Sequence, residues 1–224
     1  AAYYAYRMGL PVNKFICASN DNKILTDFIS TGKYDINRNF KKTISPSMDI
    51  LISSNLERFL FEISDHDSAK INKWYQDLKE EGVFRVDNYT QTRIRNMFIG
   101  EYATERETRN TIKEVYNKYN YLVDSHTAVG INVYQKYLAE SSDHTPVIIA
   151  STANPYKFSS AVYDAITGKV ESDNEFEILE SLRNETSVEV HRGLCNLGDK
   201  KVRHRRTCNG STIRDEILDI LEIE

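Results

Sequence analysis

The residues best placed to do chemistry follow an apolar run. Val147-Ile148-Ile149-Ala150 stops at two hydroxyls, Ser151 and Thr152, and continues as Ala153-Asn154-Pro155-Tyr156-Lys157-Phe158. The β-branched run reads as a buried parallel strand, with Asn154 as the N-cap of the next helix and Pro155 as its first residue. Side chains at such a junction point out of the carboxyl end of a sheet, where open α/β folds bind their ligands. A hydroxyl placed there can meet a ring nitrogen or a phosphate, and the helix start offers free N–H groups to an anion. The same pattern also describes a capped strand–helix junction that binds nothing.

The elements that must position these groups are readable from caps, glycines and periodicity. The strand predicted over 12–18 ends in Ser19 and Asn20, a second polar pair at a strand end, and a helix over about 23–31 is closed by Gly32. Ser45 and Pro46 start a helix whose apolar positions Ile52, Leu56, Phe59, Leu60 and Ile63 fall at helical spacing. Asp67 and Ser68 open another, ending at Gly82, followed by a short strand over 83–86 and a helix over about 89–98. Thr104 and Glu107 have capping-box spacing for a helix to about Tyr119, and the turn at 123–130 enters an amphipathic helix to about Ala139. The helix after Asn154 ends at Gly168. Beyond Glu171 come a short acidic helix (about 174–182), weak strands around 188–190 and Val202, and a terminal helix over about 211–221. The expected architecture is α/β: an open, mostly parallel sheet flanked by helices, with residues 1–170 as the principal region and 171–224 as a peripheral extension packed on it.

Composition narrows the function classes. The chain has 224 residues and a net charge of −4, with 40% hydrophobic and 28% charged residues, ordinary values for a globular protein. No apolar stretch approaches the ~20 residues of a membrane span. Five cations fall within 200–206, but Val202 and His204 alternate with them as on a strand with one solvated face, and the total charge is negative. Neither nucleic acid nor membrane is therefore an expected partner. Cys17, Cys195 and Cys208 lack CxxC spacing, which fits reduced thiols in a cytoplasmic protein and no metal site. The opening segment reads as a helix ended by Gly9 and Pro11 but started by nothing: no Met, no cap, no first-turn carboxylate. It is expected to begin inside a longer helix of a bigger protein.

Five segments together resemble threonine synthase, a pyridoxal-phosphate (PLP) enzyme of the tryptophan-synthase-β fold type. They are F-I-C-A-S-N-D-N at 15–22, S-P-S-M-D-I at 45–50, S-N-L-E-R at 54–58, D-S-H-T-A-V-G at 124–130 and S-T-A-N-P-Y-K-F at 151–158. Each is weak alone; their order and spacing match the C-terminal half of that family. The resemblance implies fold type II and conversion of O-phospho-L-homoserine and water to threonine and phosphate. It also implies that the Schiff-base lysine and the Gly-Asn-Phe-Gly phosphate loop lie in a missing N-terminal portion, so that this chain alone is inactive. Thr152 matches the position whose hydroxyl meets the PLP ring nitrogen, and is preferred to Ser151 because alternate strand residues face opposite sides. Asn20 is a further candidate for the cofactor cleft, His126 for assisting proton movement, and Lys157 for the substrate phosphate. A helix cap, a local hydrogen bond and a solvated lysine are their respective structural alternatives. Asp49 and Arg58, also on family motifs, fit a fold-holding ion pair or cap. Asn154, Ser125 and Ser47 depart from the family's usual residues, which leaves related phospholyases, or an inert structural domain, as alternatives.

Overall fold

The computed structural model describes residues 1–169 and 172–223. Helix α1 (Ala2–Arg7) is followed by Gly9 at a φ of 103°, then by strand β1 (Phe15–Ser19) and α2 (Ile24–Thr31). Gly32 stops α2 in the left-handed conformation that glycine tolerates best, and the short β2 (Lys33–Asp35) follows. Next come α3 (Leu56–Ile63), α4 (Ser68–Glu81), β3 (Val83–Arg85), α5 (Asn88–Met97) and β4 (Phe98–Tyr102). Helices α6 (Glu105–Tyr119), α7 (Ser125–Ser141), α8 (Ser159–Thr167) and α9 (Glu175–Thr186) complete a first compact unit, Ala1–His191. The second unit, Arg192–Glu224, carries α10 (Ile213–Leu221). The boundary expected between 170 and 171 lies outside the described residues.

Side-chain caps fix where the helices start. Asp67 accepts from the Lys70 N–H, Asp87 from Thr90, Asn154 from Tyr156 and Asn174 from Phe176. Thr104 and Glu107 form the reciprocal capping box that their spacing predicts. The α/β class with parallel strands is present: β1 and β4 pair in parallel, Phe15 opposite Phe98 and Ser19 opposite Tyr102. A separate antiparallel pair joins β2 to β3. The main core lies around it, with Phe28, Tyr34, Leu60, Ile63, Trp74, Phe84 and Ile94 all buried. Tyr34 stacks on Phe84 with ring centroids 5.3 Å apart, and its hydroxyl donates to Leu51 O and accepts from the Ser53 N–H. Helix α7 packs on β1 through Val129 and Val133 and also lies against α6, and α8 contacts both α6 and α9. Burial pushes the Cys17 thiol up to about 11, which keeps it protonated and inert.

Three expectations need correction. The run at 147–150 is not a buried strand: no described strand pairs with it, and Ile148 is 92% exposed. β-branched residues favour a pleated surface, but a strand exists only where a neighbour takes its hydrogen bonds. Ile149 instead lies beside Gly130 of α7. The helix expected from Ser45 onward is a single 3-10 turn, Pro46–Met48, and α3 starts only at Leu56. The Asp49 carboxylate is turned back onto Thr43 and Asn20 rather than along a helix, which breaks the apolar periodicity into two pieces. The segments around 188–190 and Val202, expected as weak strands, lie outside any described strand.

Candidate functional site

The chain's polar cluster grows from the end of β1. Asn20 is buried at 2% exposure, with its amide nitrogen 2.7 Å from Asp49 Oδ1 and 2.9 Å from Thr43 Oγ1. Asn22 adds a two-way pairing with the Lys41 backbone, giving and taking one bond at 2.9 Å each. Both amide protons of Asn20 are thus spent inside the protein. What Asn20 does here is hold the 41–49 segment, so that the 3-10 turn at Pro46–Met48 stands at the end of the parallel pair.

That turn meets α7. The Ser47 N–H donates to His126 Nε2 at 3.1 Å, and His126 Nδ1 lies 3.0 Å from Asp124 Oδ1. An accepting Nε2 leaves the ring proton on Nδ1, facing the carboxylate. The imidazole also packs on Phe158, with centroids 4.6 Å apart. Asp124 is the N-cap of α7 and accepts from the His126 N–H (2.8 Å), the Thr127 N–H (3.3 Å) and the Thr127 hydroxyl. Burial alone would raise its carboxyl; the hydrogen bonds from His126 and Thr127 outweigh that and hold it below the usual carboxylate range.

The Thr127 hydroxyl lies 3.1 Å from that of Ser151. The structure therefore brings His126 and Ser151 around one buried carboxylate, with Asn20 anchoring the turn that His126 holds. Thr152 follows Ser151 in the chain, is exposed, and makes no hydrogen bond with the described residues. Lys157 is also exposed, its ammonium 5.8 Å from the Phe158 ring centroid. A free neutral hydroxyl suits a ring nitrogen, and a free ammonium suits a phosphate. The donor set fits a phosphorylated heterocycle or substrate. No grouping of His, Cys, Asp and Glu among the described residues could hold a metal ion.

Sequence reasoning did not assign Asp124, Thr127, Ser47 or Thr43 to this cluster. The Asp124-Ser125-His126-Thr127 spacing does signal a cap, but the contacts of Thr127 with Ser151 and of His126 with Ser47 are tertiary.

Residues 127–193 match the family described as threonine synthase, C-terminal. Threonine synthase of Saccharomyces cerevisiae is 38% identical over 182 residues, covering 75% of this chain and 35% of the relative. Threonine synthase-like 1 of Macaca fascicularis is 39% identical over 176 residues, covering 78% of this chain and 23% of the relative. Among solved structures, yeast threonine synthase superposes with a TM-score of 0.81 at 32% identity, over 99% of this chain and 44% of that one. PLP-bound threonine synthase from Brucella melitensis gives 0.69 at 35% identity, over 84% and 43%. The chain thus spans between about a quarter and under half of these relatives' length. In sequence and in backbone it belongs to the threonine synthase family and matches the C-terminal portion of its members.

Proposed function

We propose that this chain supplies one wall of a PLP cleft, and that the longer protein it corresponds to converts O-phospho-L-homoserine and water to L-threonine and phosphate. The observation that carries this reading is the exposed, unengaged Thr152 hydroxyl beside the Asp124-centred cluster, on a segment inside the family match. PLP, when bound, supplies an electron sink for carbanion chemistry. The residues of this chain do the holding. Thr152 would hydrogen-bond the ring nitrogen; a neutral hydroxyl, unlike a carboxylate, does not keep that nitrogen protonated. Lys157 would meet a phosphate, and His126 keeps the Ser47 turn in place. The PLP-bound relative from Brucella melitensis supports the cofactor, and the exposed Lys157 ammonium supports a phosphorylated substrate.

The test compares the 224-residue chain with the longest product carrying it, each given PLP and O-phospho-L-homoserine. The longer protein should release phosphate and threonine. The chain alone, whose sequence contains no Gly-Asn-Phe-Gly loop, should release neither, and borohydride should fix PLP to no single lysine in it. Thr152→Val in the longer protein should preserve folding, change the PLP absorbance and lower turnover. An unchanged spectrum and rate would remove Thr152 from the cofactor site, and turnover by the chain alone would refute its dependence on an N-terminal portion.

A further inference from the structure

Two exposed segments border the candidate cleft, and the same buried side chain reaches both. Asp124 is 1% exposed, and its two oxygens have separate duties. Oδ1 accepts from the His126 and Thr127 backbone N–H groups and faces His126 Nδ1; Oδ2 accepts the Thr127 hydroxyl. An ionised carboxylate can only accept, so the single Thr127 proton points at Asp124. The same hydroxyl has donor geometry toward Ser151 Oγ at 3.1 Å, so Thr127 links Ser151 to the buried carboxylate. Thr152, next in the chain, makes no hydrogen bond with the described residues and has its hydroxyl proton free for a ligand. On the other arm, His126 Nε2 is occupied by the Ser47 N–H, so the ring proton also points at Asp124.

We propose that Asp124 is the positioning residue of the cleft: through His126 it fixes the Ser47 turn, and through Thr127 it holds Ser151 in place beside Thr152. His126 on this account is a fixed hydrogen-bond acceptor and carries no proton in the reaction. The proposal deepens the cleft reading above and rests on it for its functional meaning, but its geometry is measurable without cofactor or turnover.

The experiment is NMR on the ¹⁵N-labelled 224-residue chain. Ring nitrogen shifts of His126 should show the Nδ1–H tautomer. The Ser47 amide should exchange slowly, and His126→Leu should speed it by roughly fivefold or more, the scale of one hydrogen bond. His126→Gln, whose side-chain oxygen reaches about the Nε2 position, should restore the protection. In Asp124→Asn the amide oxygen must stay on the Oδ1 side to cap α7, so only the Thr127 arm reverses polarity. The Ser151 and Thr152 amide signals should then move while the His126 tautomer and Ser47 protection persist. An Nε2–H tautomer in the unmodified chain, equal Ser47 exchange with His126→Leu, or an Asp124→Asn response confined to Ser47 would each overturn the proposal. If the NMR pattern holds but the longer protein forms no threonine, the reaction assignment fails and the positioning stands.

Discussion

Asp124 accepts from His126 and Thr127 through both carboxylate oxygens, and the physics of a buried carboxylate gives it a pH signature. Its pKa is held below the ordinary carboxylate value of about 3.9 because hydrogen bonds to the charged form win over burial. A depressed folded-state pKa contributes stability that is present above the unfolded pKa and lost as pH falls through the folded one. Asp124→Asn cannot ionise and reverses the Thr127 bond, so it should destabilise by about 1–3 kcal/mol at neutral pH. The gap to the unmodified chain should narrow in acid below about pH 4. Urea unfolding of both proteins at pH 7 and pH 3 measures this; a gap that is constant or wider in acid would contradict the assignment.

Elements were legible where a local signal sets a boundary and obscure where the decision is tertiary. Glu107 reaches back to the Thr104 N–H at 2.7 Å, so both members of the α6 capping box are engaged. Thr104→Ala should therefore cost about 1 kcal/mol, read as a lower urea midpoint with unchanged slope. No change would mean the first turn of α6 is held by packing alone. The same local logic located α2, α4 and α8 through Gly32, Asp67 and Gly168, but 123–130, read as a turn, is largely the first part of α7, which Asp124 caps from Ser125 onward. It failed at 147–150, where a β-branched run has no partner strand, and at 45–55, where the Asp49 carboxylate ties back to Thr43 and ends a helix that periodicity alone would continue. The pair β2–β3 was half legible: 83–86 reads as a strand, but Lys33–Asp35 is too short to show an alternation. The site followed the same rule. The five segments that resemble the family were visible in the sequence, while the arms joining Asp124 to Ser47 and Ser151 depend on groups up to 79 residues apart.

Across the whole chain, burial is uneven. Every buried hydrophobic side chain among the described residues lies between Tyr3 and Leu182, inside the first unit. In the second unit Val202, Ile213, Ile217, Ile220 and Leu221 are all exposed, so it has no core of its own to resist local opening. Its cations sit in the same situation: Lys200, Lys201, Arg203, Arg205 and Arg206 lie outside helix and strand and are exposed, and Arg206 reaches Glu216 and Asp219 across an exposed surface. Trypsin needs an extended, accessible Lys or Arg, and the opening free energy here should be near zero, whereas the lysines and arginines of α4–α6 lie on helices anchored by Trp74, Ile94 and Ile112. Brief digestion at low protease should therefore cut first within 200–206, and the large product should still unfold cooperatively, because it keeps the entire buried set. First cuts inside α4–α6, or a product that melts without a transition, would mean that the second unit contributes to the core in a way its own exposed side chains do not reveal.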